Sequence, residues 1–287
     1  MKSKNEIMHK ELNIQGINIS LKAFQNLWLD PRHFQIAFQT VFLLAGIVVL
    51  SWNLEIHNYL IALAACLLIQ AIGINYTSKD YSALKSALIS ALSICLMFKA
   101  NHMSTFALAG ILSIASKFLI RYKGKHIFNP TNFGMILTIL ITGDAWFSPG
   151  QWGSEMLFLF VLMLSASALL LKVGRLDVAL SFLGTFSGLY FLKLVVYLGW
   201  ELDVFIHHLS SGTLLLFTFF MITDPVTTPK SQKGRIIWSS LIGVLAFAIS
   251  NWYYVHSAPI WALFIMSPLS ILINKFYKGK TFSWISK

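Results

Sequence analysis

The sequence predicts an all-α, polytopic membrane protein of about ten transmembrane helices, arranged as two inverted five-helix repeats. Three observations carry that expectation. Of 287 residues, 56% are hydrophobic and only 11% charged, whereas soluble domains hold about 45–50% apolar and ~25% charged residues. Apolar runs recur along the whole chain, most of them near the ~20 residues that cross a hydrocarbon core. The basic residues fall into alternate loops, as the positive-inside rule requires.

The same composition excludes a secreted disulfide scaffold, a disordered chain and a cytosolic nucleic-acid binder. The net charge of +11 reads as loop Lys and Arg at a bilayer surface, so the expected partner is lipid and not nucleic acid. Cys66 and Cys95 both lie in apolar runs and no CxxC exists. A zinc ribbon or a cysteine-ligated cluster within one chain is thereby excluded, and both thiols read as packing residues. Residues 1–33 are polar and charged, without the apolar stretch of a cleavable signal peptide, and are expected to form a cytoplasmic segment.

The apolar runs lie near 34–52, 57–76, 83–98, 102–121 and 130–143, then 155–172, 176–198, 204–222, 236–251 and 259–276. The first five make one half, 34–151. The second five make the other, 152–276, and residues 277–287 form a C-terminal tail. The runs at 83–98 and 130–143 are short for a full crossing and read as half-helices or tilted segments. With both termini inside, the inner segments hold 20 of the 22 Lys and Arg, the outer loops hold only Lys99, and Lys193 sits inside the seventh run. One missed span would place every later loop on the wrong side. Lys193 lies near the outer end of its span, where a long stem can snorkel to the interface. Trp52, Trp146, Trp152, Trp200, Trp252 and Trp261 fall at outer ends, and Trp28, Trp238 and Trp284 at inner ends, where indole rings anchor at headgroup level.

The two halves align weakly. Pro130 corresponds to Pro259 at an offset of 129 residues, and Ser86–Ser93 lies over Gly212–Phe219 at an offset of 126. Inverted repeats place substrate or ion sites at helices interrupted by Gly, Pro and polar residues. Such breaks persist only where the freed backbone groups face protein, water or ligand. Two segments have that character. One runs His126-Ile127-Phe128-Asn129-Pro130-Thr131-Asn132-Phe133-Gly134 into the fifth span; the other runs Thr223-Asp224-Pro225-Val226-Thr227-Thr228-Pro229 out of the eighth. Asn129 or Asp224 can cap a helix that has Pro at its first position. Alternatively, these helix starts bind a phosphate, a flavin edge or a cation through backbone N–H groups and short polar side chains. The expected site is one shared cavity formed by Asn129, Pro130, Thr131, Asn132, Asp224, Pro225, Thr227 and Thr228.

Phe128-Asn129-Pro130, the string Phe220-Met221-Ile222-Thr223-Asp224-Pro225 and the ten-span layout resemble one group of membrane proteins. These are the B subunit of the sodium-translocating NADH:quinone oxidoreductase and the D subunit of the Rnf complex, whose motifs read close to FNPA and FMATDPVS. The resemblance runs from roughly residue 34 to 276. The start Asp30-Pro31-Arg32-His33-Phe34 is closer to a smaller branch named after an enediyne-biosynthesis membrane protein. The resemblance implies a flavin-bearing, cation-linked electron-transfer subunit of a bacterial inner-membrane complex, with other subunits as partners. In that family FMN is esterified to the last residue of an SGAT motif in the outer loop after the fifth span. Here that loop reads Thr142-Gly143-Asp144-Ala145-Trp146-Phe147-Ser148-Pro149-Gly150-Gln151-Trp152-Gly153, with no SGAT, and the nearest string is Ser211-Gly212-Thr213. Covalent FMN is therefore not expected, and the resemblance leaves a non-covalent flavin, FMN or riboflavin, or no flavin.

All eleven carboxylates fall in loops or at span ends, which argues against a carboxylate-based antiporter. His207 and His208 open the eighth span, but a membrane haem needs histidines on facing helices within the core, so no haem is expected. No metal site and no stand-alone catalytic constellation is expected either. Three classes remain: an Rnf-like electron-transfer subunit, a small-solute or cofactor transporter on the same scaffold, and a structural or assembly subunit.

Overall fold

The computed structural model describes residues 12–14, 17–19, 30–49, 52, 55–77, 80–148, 167, 170–279 and 282. The expected span at 155–172 lies almost wholly outside the described residues, as do most of both tails and the loop stretch 149–153.

The first helix, α1 (Pro31–Val48), opens on Asp30, whose side chain accepts from the Arg32 N–H while Pro31 occupies the first turn. Next come α2 (Ile56–Thr77), a 3₁₀ turn at Tyr81–Ala83, α3 (Leu84–Met97) and α4 (Met103–Leu119). The fifth, α5 (Pro130–Thr142), is capped by the Asn129 side chain accepting from the Asn132 N–H. The second half contains α6 (Leu176–Phe191), continued as a π-helix to Tyr197, and α7 (Leu202–Leu209). It goes on with α8 (Gly212–Leu216), continued as a π-helix to Met221, then α9 (Gln232–Tyr253), α10 (Ala258–Met266) and α11 (Leu269–Phe276).

Among the described residues, α2, Leu176–Tyr197 and α9 are each long and apolar enough to cross a bilayer. The expected spans at 204–222 and 259–276 are each two helices: α7 and α8 meet at 56°, α10 and α11 at 53°. Pro268 explains the second break, since it has no N–H to donate and its ring crowds the preceding turn. The expected short runs are short helices, 14 residues in α3 and 13 in α5, or roughly 20 Å at 1.5 Å per residue.

Among the described residues, six short strands accompany the helices, in three antiparallel pairs: β1 (Leu12–Ile14) with β2 (Ile17–Ile19), β3 (Phe98–Ala100) with β6 (Ala145–Phe147), and β4 (Arg121–Tyr122) with β5 (Lys125–His126). The β3–β6 pair brings Asp144 onto the start of α4, where it accepts from Thr105 Oγ1 at 2.6 Å and from the His102 N–H at 3.2 Å.

The packing is that of a protein in lipid. Leu60, Leu68 and Ile72 of α2 are exposed, whereas Ala62, Cys66 and Gln70 are buried. Those inward residues recur at four-residue steps, so one stripe of small and polar side chains faces the neighbouring helices. At Gly110 of α4 a Cβ would sit 3.0 Å from Ala65 Cβ and 3.3 Å from Cys66 Sγ; at Gly134 of α5 it would overlap Ser113 Oγ and sit 2.6 Å from the Ala109 carbonyl oxygen. Glycine at these crossings lets α4 approach both α2 and α5. On the other side of the molecule α9 packs against α6 and α10. Cys66 and Cys95 are buried free thiols, as expected for packing residues.

Trp238 departs from its expected role as an interfacial anchor. It is fully buried, and its indole N–H donates to the Met266 carbonyl at 3.0 Å. The α10–α11 break frees that carbonyl from its helix, and a buried carbonyl requires a donor.

Candidate functional site

Both Pro-containing segments end at the same place. A cavity of about 140 Å³ is lined by Asn129, Pro130 and Thr131 from the first and by Thr223, Asp224, Pro225 and Val226 from the second. The floor and walls come from α1 (Gln35, Gln39), α3 (Ser86, Ser90, Ser93) and the π-helical end of α8 (Phe219, Phe220, Met221).

The segments are tied directly. Asn129 Nδ2 donates to the Met221 carbonyl at 3.2 Å, while its Oδ1 accepts from the Asn132 N–H at 3.1 Å. One side chain thus caps α5 and holds the end of α8. The interruption after Met221 leaves its carbonyl available for this bond. His126 Nε2 lies 3.7 Å from Asp224 Oδ2, with both side chains largely buried. Burial pushes the Asp224 carboxyl up, but the hydrogen bond and charge of His126, the Val226 N–H and Lys117 outweigh it and hold the group below its ordinary value. Asp224 Oδ1 accepts from the Val226 N–H at 3.0 Å. It therefore shapes a single turn and does not begin a helix, unlike the Asn129 cap.

Three expected site residues do not line this cavity. Asn132 turns toward α10, donating through Nδ2 to the Ile260 carbonyl at 2.8 Å. That places it where α5 crosses the helix opened by Pro259, and its buried Oδ1 has no partner among the described residues. Thr227 and Thr228 line a neighbouring pocket that shares His126 and Val226 with the cavity. Thr228 Oγ1 accepts from Arg175 Nε at 3.0 Å, and Arg175 Nη2 reaches the Pro225 carbonyl at 3.4 Å. Arg175, buried itself, clamps the turn that Pro225 opens. The turn runs back past Arg175, so its second half faces away from the cavity.

The structure also brings in residues that the motifs did not signal. Lys117, one of the inner-side cations, belongs to the last turn of α4. Its Nζ donates to Gln70 Oε1 at 3.1 Å and to Ser86 Oγ at 2.9 Å, and it lines the cavity. Spacing carries a signal for this: Lys117 stands four residues after Ser113 and seven after Gly110, on the small, buried face of α4. Gln39 is 1% exposed; its Nε2 donates to Ser93 Oγ at 2.9 Å, and its Oε1 has no hydrogen-bond partner among the described residues. Since an unpaired buried acceptor costs about 1–3 kcal/mol, this oxygen is a ready acceptor in the cavity wall. The site therefore combines one ammonium, one carboxylate paired with an imidazole, and several hydroxyl and amide groups, against Phe219 and Phe220. Such a lining suits a polar ring or solute with both donors and acceptors.

Thr213, in the string nearest to SGAT, is 9% exposed, and its Oγ1 donates to the Ser148 carbonyl.

Similarities to known proteins agree with this architecture. The model of the NQR2, RnfD, RnfE family matches residues 140–283, just over half the chain and including the Asp224-Pro225 segment. Residues 129–132 precede that match. The chain is similar to the D subunit of the ion-translocating oxidoreductase complex of Stutzerimonas stutzeri, 39% identical over 75 residues, covering 26% of this chain and 21% of that protein. The corresponding D subunits of Pseudomonas aeruginosa and Vibrio atlanticus are 29% identical over 103 residues and 30% over 111. Those alignments cover 35% and 39% of this chain, and 30% and 32% of the relatives. The chain thus spans between about a fifth and a third of the length of the curated relatives it matches. Apolar helices with small, polar inner faces, joined to a family match over half the sequence, identify this chain as a membrane protein that belongs to the NQR2, RnfD, RnfE family.

Proposed function

We propose that the chain acts as a membrane subunit of an ion-translocating oxidoreductase complex of the Rnf type, with the cavity beneath Asn129 and Asp224 as its working site. The observation that carries this is the convergence of the two interrupted segments on one polar cavity, in a chain of that family. The relatives' names support assembly with other membrane subunits. We place the protein in a bacterial inner membrane with about ten spans and both termini cytoplasmic, which the charge distribution favours. Two inverted five-helix halves, 34–151 and 152–276, form the scaffold. The packing of α4 on α2 and α5 resembles that of α9 on α6 and α10. Gly243 of α9 meets α6 closely, as Gly110 of α4 meets α2. Both comparisons support the repeat.

A non-covalent flavin matches the cavity lining in its donors and acceptors, with the edge of the ring entering the space of about 140 Å³ and the remainder lying outside it. The free Gln39 oxygen and the Lys117 ammonium would hold its polar edge, and Phe219 and Phe220 would border its ring. When bound, a flavin supplies one- and two-electron transfer. The test is a visible absorption spectrum of the purified protein together with the Gln39→Leu variant. A flavin band that is lost or weakened in the variant supports the reading, and a band unchanged by it moves the flavin elsewhere. Protein that is colourless even when isolated from native membranes with its partners refutes the flavin. Failure to recover any partner subunit from those membranes overturns the complex itself.

A further inference from the structure

Beside the cavity lies a second pocket, lined by Lys123, Lys125, Lys230 and Lys275 together with Thr227, Thr228, Ser270 and Asn274, and by no Asp or Glu. The lysines come from three separate parts of the chain: the β4–β5 hairpin, the turn after Pro229 and the last turn of α11. The positive-inside rule puts lysines at this end of a membrane protein but says nothing about where they point. Here four converge on one concavity. Among the described residues none of the four makes an ion pair. The carboxylates nearby are already used: Asp224 faces His126, and Asp177 holds Arg235 at 2.7 Å.

Hydroxyl chemistry completes the pocket. Thr228 Oγ1 accepts from Arg175 Nε, so its own proton stays available to a ligand. Lys125 registers the excess charge: burial first, then Lys230 and Arg175, lower its pKa, with only Asp224 opposing. Four ammonium groups, a hydroxyl donor and no acid suit a group with several charged oxygens, and a single carboxylate would leave most of these donors unused.

We propose that this pocket binds a phosphoryl group, carried by an anionic phospholipid headgroup or by a soluble phosphate compound. It adjoins the cavity proposed as the working site, sharing His126 and Val226 with it, but its lysines lie outside that cavity and the proposal does not depend on that reading.

The experiment uses the purified full-length protein, delipidated in a neutral detergent. Short-chain phosphatidic acid, whose phosphomonoester carries several charged oxygens, short-chain phosphatidylcholine and inorganic phosphate are titrated separately, with affinity read by intrinsic tryptophan fluorescence. Each juxtasurface lysine contributes about a fivefold effect on binding to an anionic surface. The Lys125→Gln/Lys230→Gln double variant should therefore bind roughly 25-fold more weakly, whereas Lys233→Gln, exposed and outside the pocket, should bind as wild type does. Binding of phosphatidic acid alone assigns a lipid headgroup; binding of inorganic phosphate as well assigns a free phosphoryl ligand. Lys275→Gln, on the exposed rim, provides the same test should the double variant misfold. The proposal is overturned if wild type binds neither anion, if phosphatidylcholine binds equally well, or if the lysine variants bind as wild type does.

Discussion

Asn129 gives the sharpest test of how the two interrupted segments are joined, because one short side chain makes two different bonds. Its Oδ1 caps α5 at 3.1 Å and its Nδ2 reaches the Met221 carbonyl at 3.2 Å. Removing a helix N-cap costs about 1 kcal/mol. Losing the bond to Met221 costs about 1 kcal/mol more, at the lower end for a buried acceptor, because the Asp224 N–H also approaches that oxygen at 3.4 Å. Asn129→Ala should therefore destabilise the fold by about 2 kcal/mol. Asn129→Ser keeps a capping oxygen but is too short to span to Met221, so it should lose about half as much. Reversible unfolding of the purified protein in mixed micelles, titrated with denaturing detergent, measures both. If Asn129→Ala stays within about 0.5 kcal/mol of wild type, the bridge across the cavity carries no stability. If Asn129→Ser costs as much as Asn129→Ala, cap and bridge are not separable and the reasoning fails.

Three further outcomes follow from the same geometry. Gly134→Ala drives a Cβ to 2.6 Å from the Ala109 carbonyl oxygen, which backbone cannot easily yield; it should cost about 1–3 kcal/mol or more in the same assay. Gly184→Ala, which meets nothing within 4 Å, should be near neutral. Partial burial raises the Asp30 carboxyl, but hydrogen bonds from Arg32 and Lys85 win and hold it well below the usual carboxylate range. Its stabilisation is thus complete above about pH 4 and declines as pH falls through the lowered value. Acid unfolding should show a loss below about pH 4 that is smaller in Asp30→Asn, and equal slopes would contradict the pairing. Reporter fusions after residues 125, 172 and 233 should report cytoplasm and those near residues 148 and 203 the outer side; a periplasmic signal at 233 would refute the ten-span arrangement.

Membrane character, the places of most described helices and the capping of α5 are legible in the sequence because they depend on local sums. Transfer of an apolar run into lipid adds up residue by residue. Asn129 reaches an N–H group only three residues ahead, so Asn-Pro can announce its helix start locally, whereas Asp224-Pro225 carries the same local signal and forms a turn. The expectation that the two motifs meet rests on their shared character, since each breaks an apolar run with Pro and short polar residues on the expected inner side. Which side chains enter the cavity was not legible. Lys117 looks like another inner-side cation and Trp238 like another anchor until the rotation of α4 and α9 is known. A turn of one residue, about 100°, would carry either to a different face. Thr227 and Thr228 share a motif with Asp224 but face another pocket, because Arg175, some fifty residues earlier, holds the turn. Gln39 became a candidate only when packing buried it and left its oxygen without a donor. Tertiary structure decided these points because helix rotation, and the pairing of buried polar groups, are set by contacts among all the helices together and by no single stretch of chain.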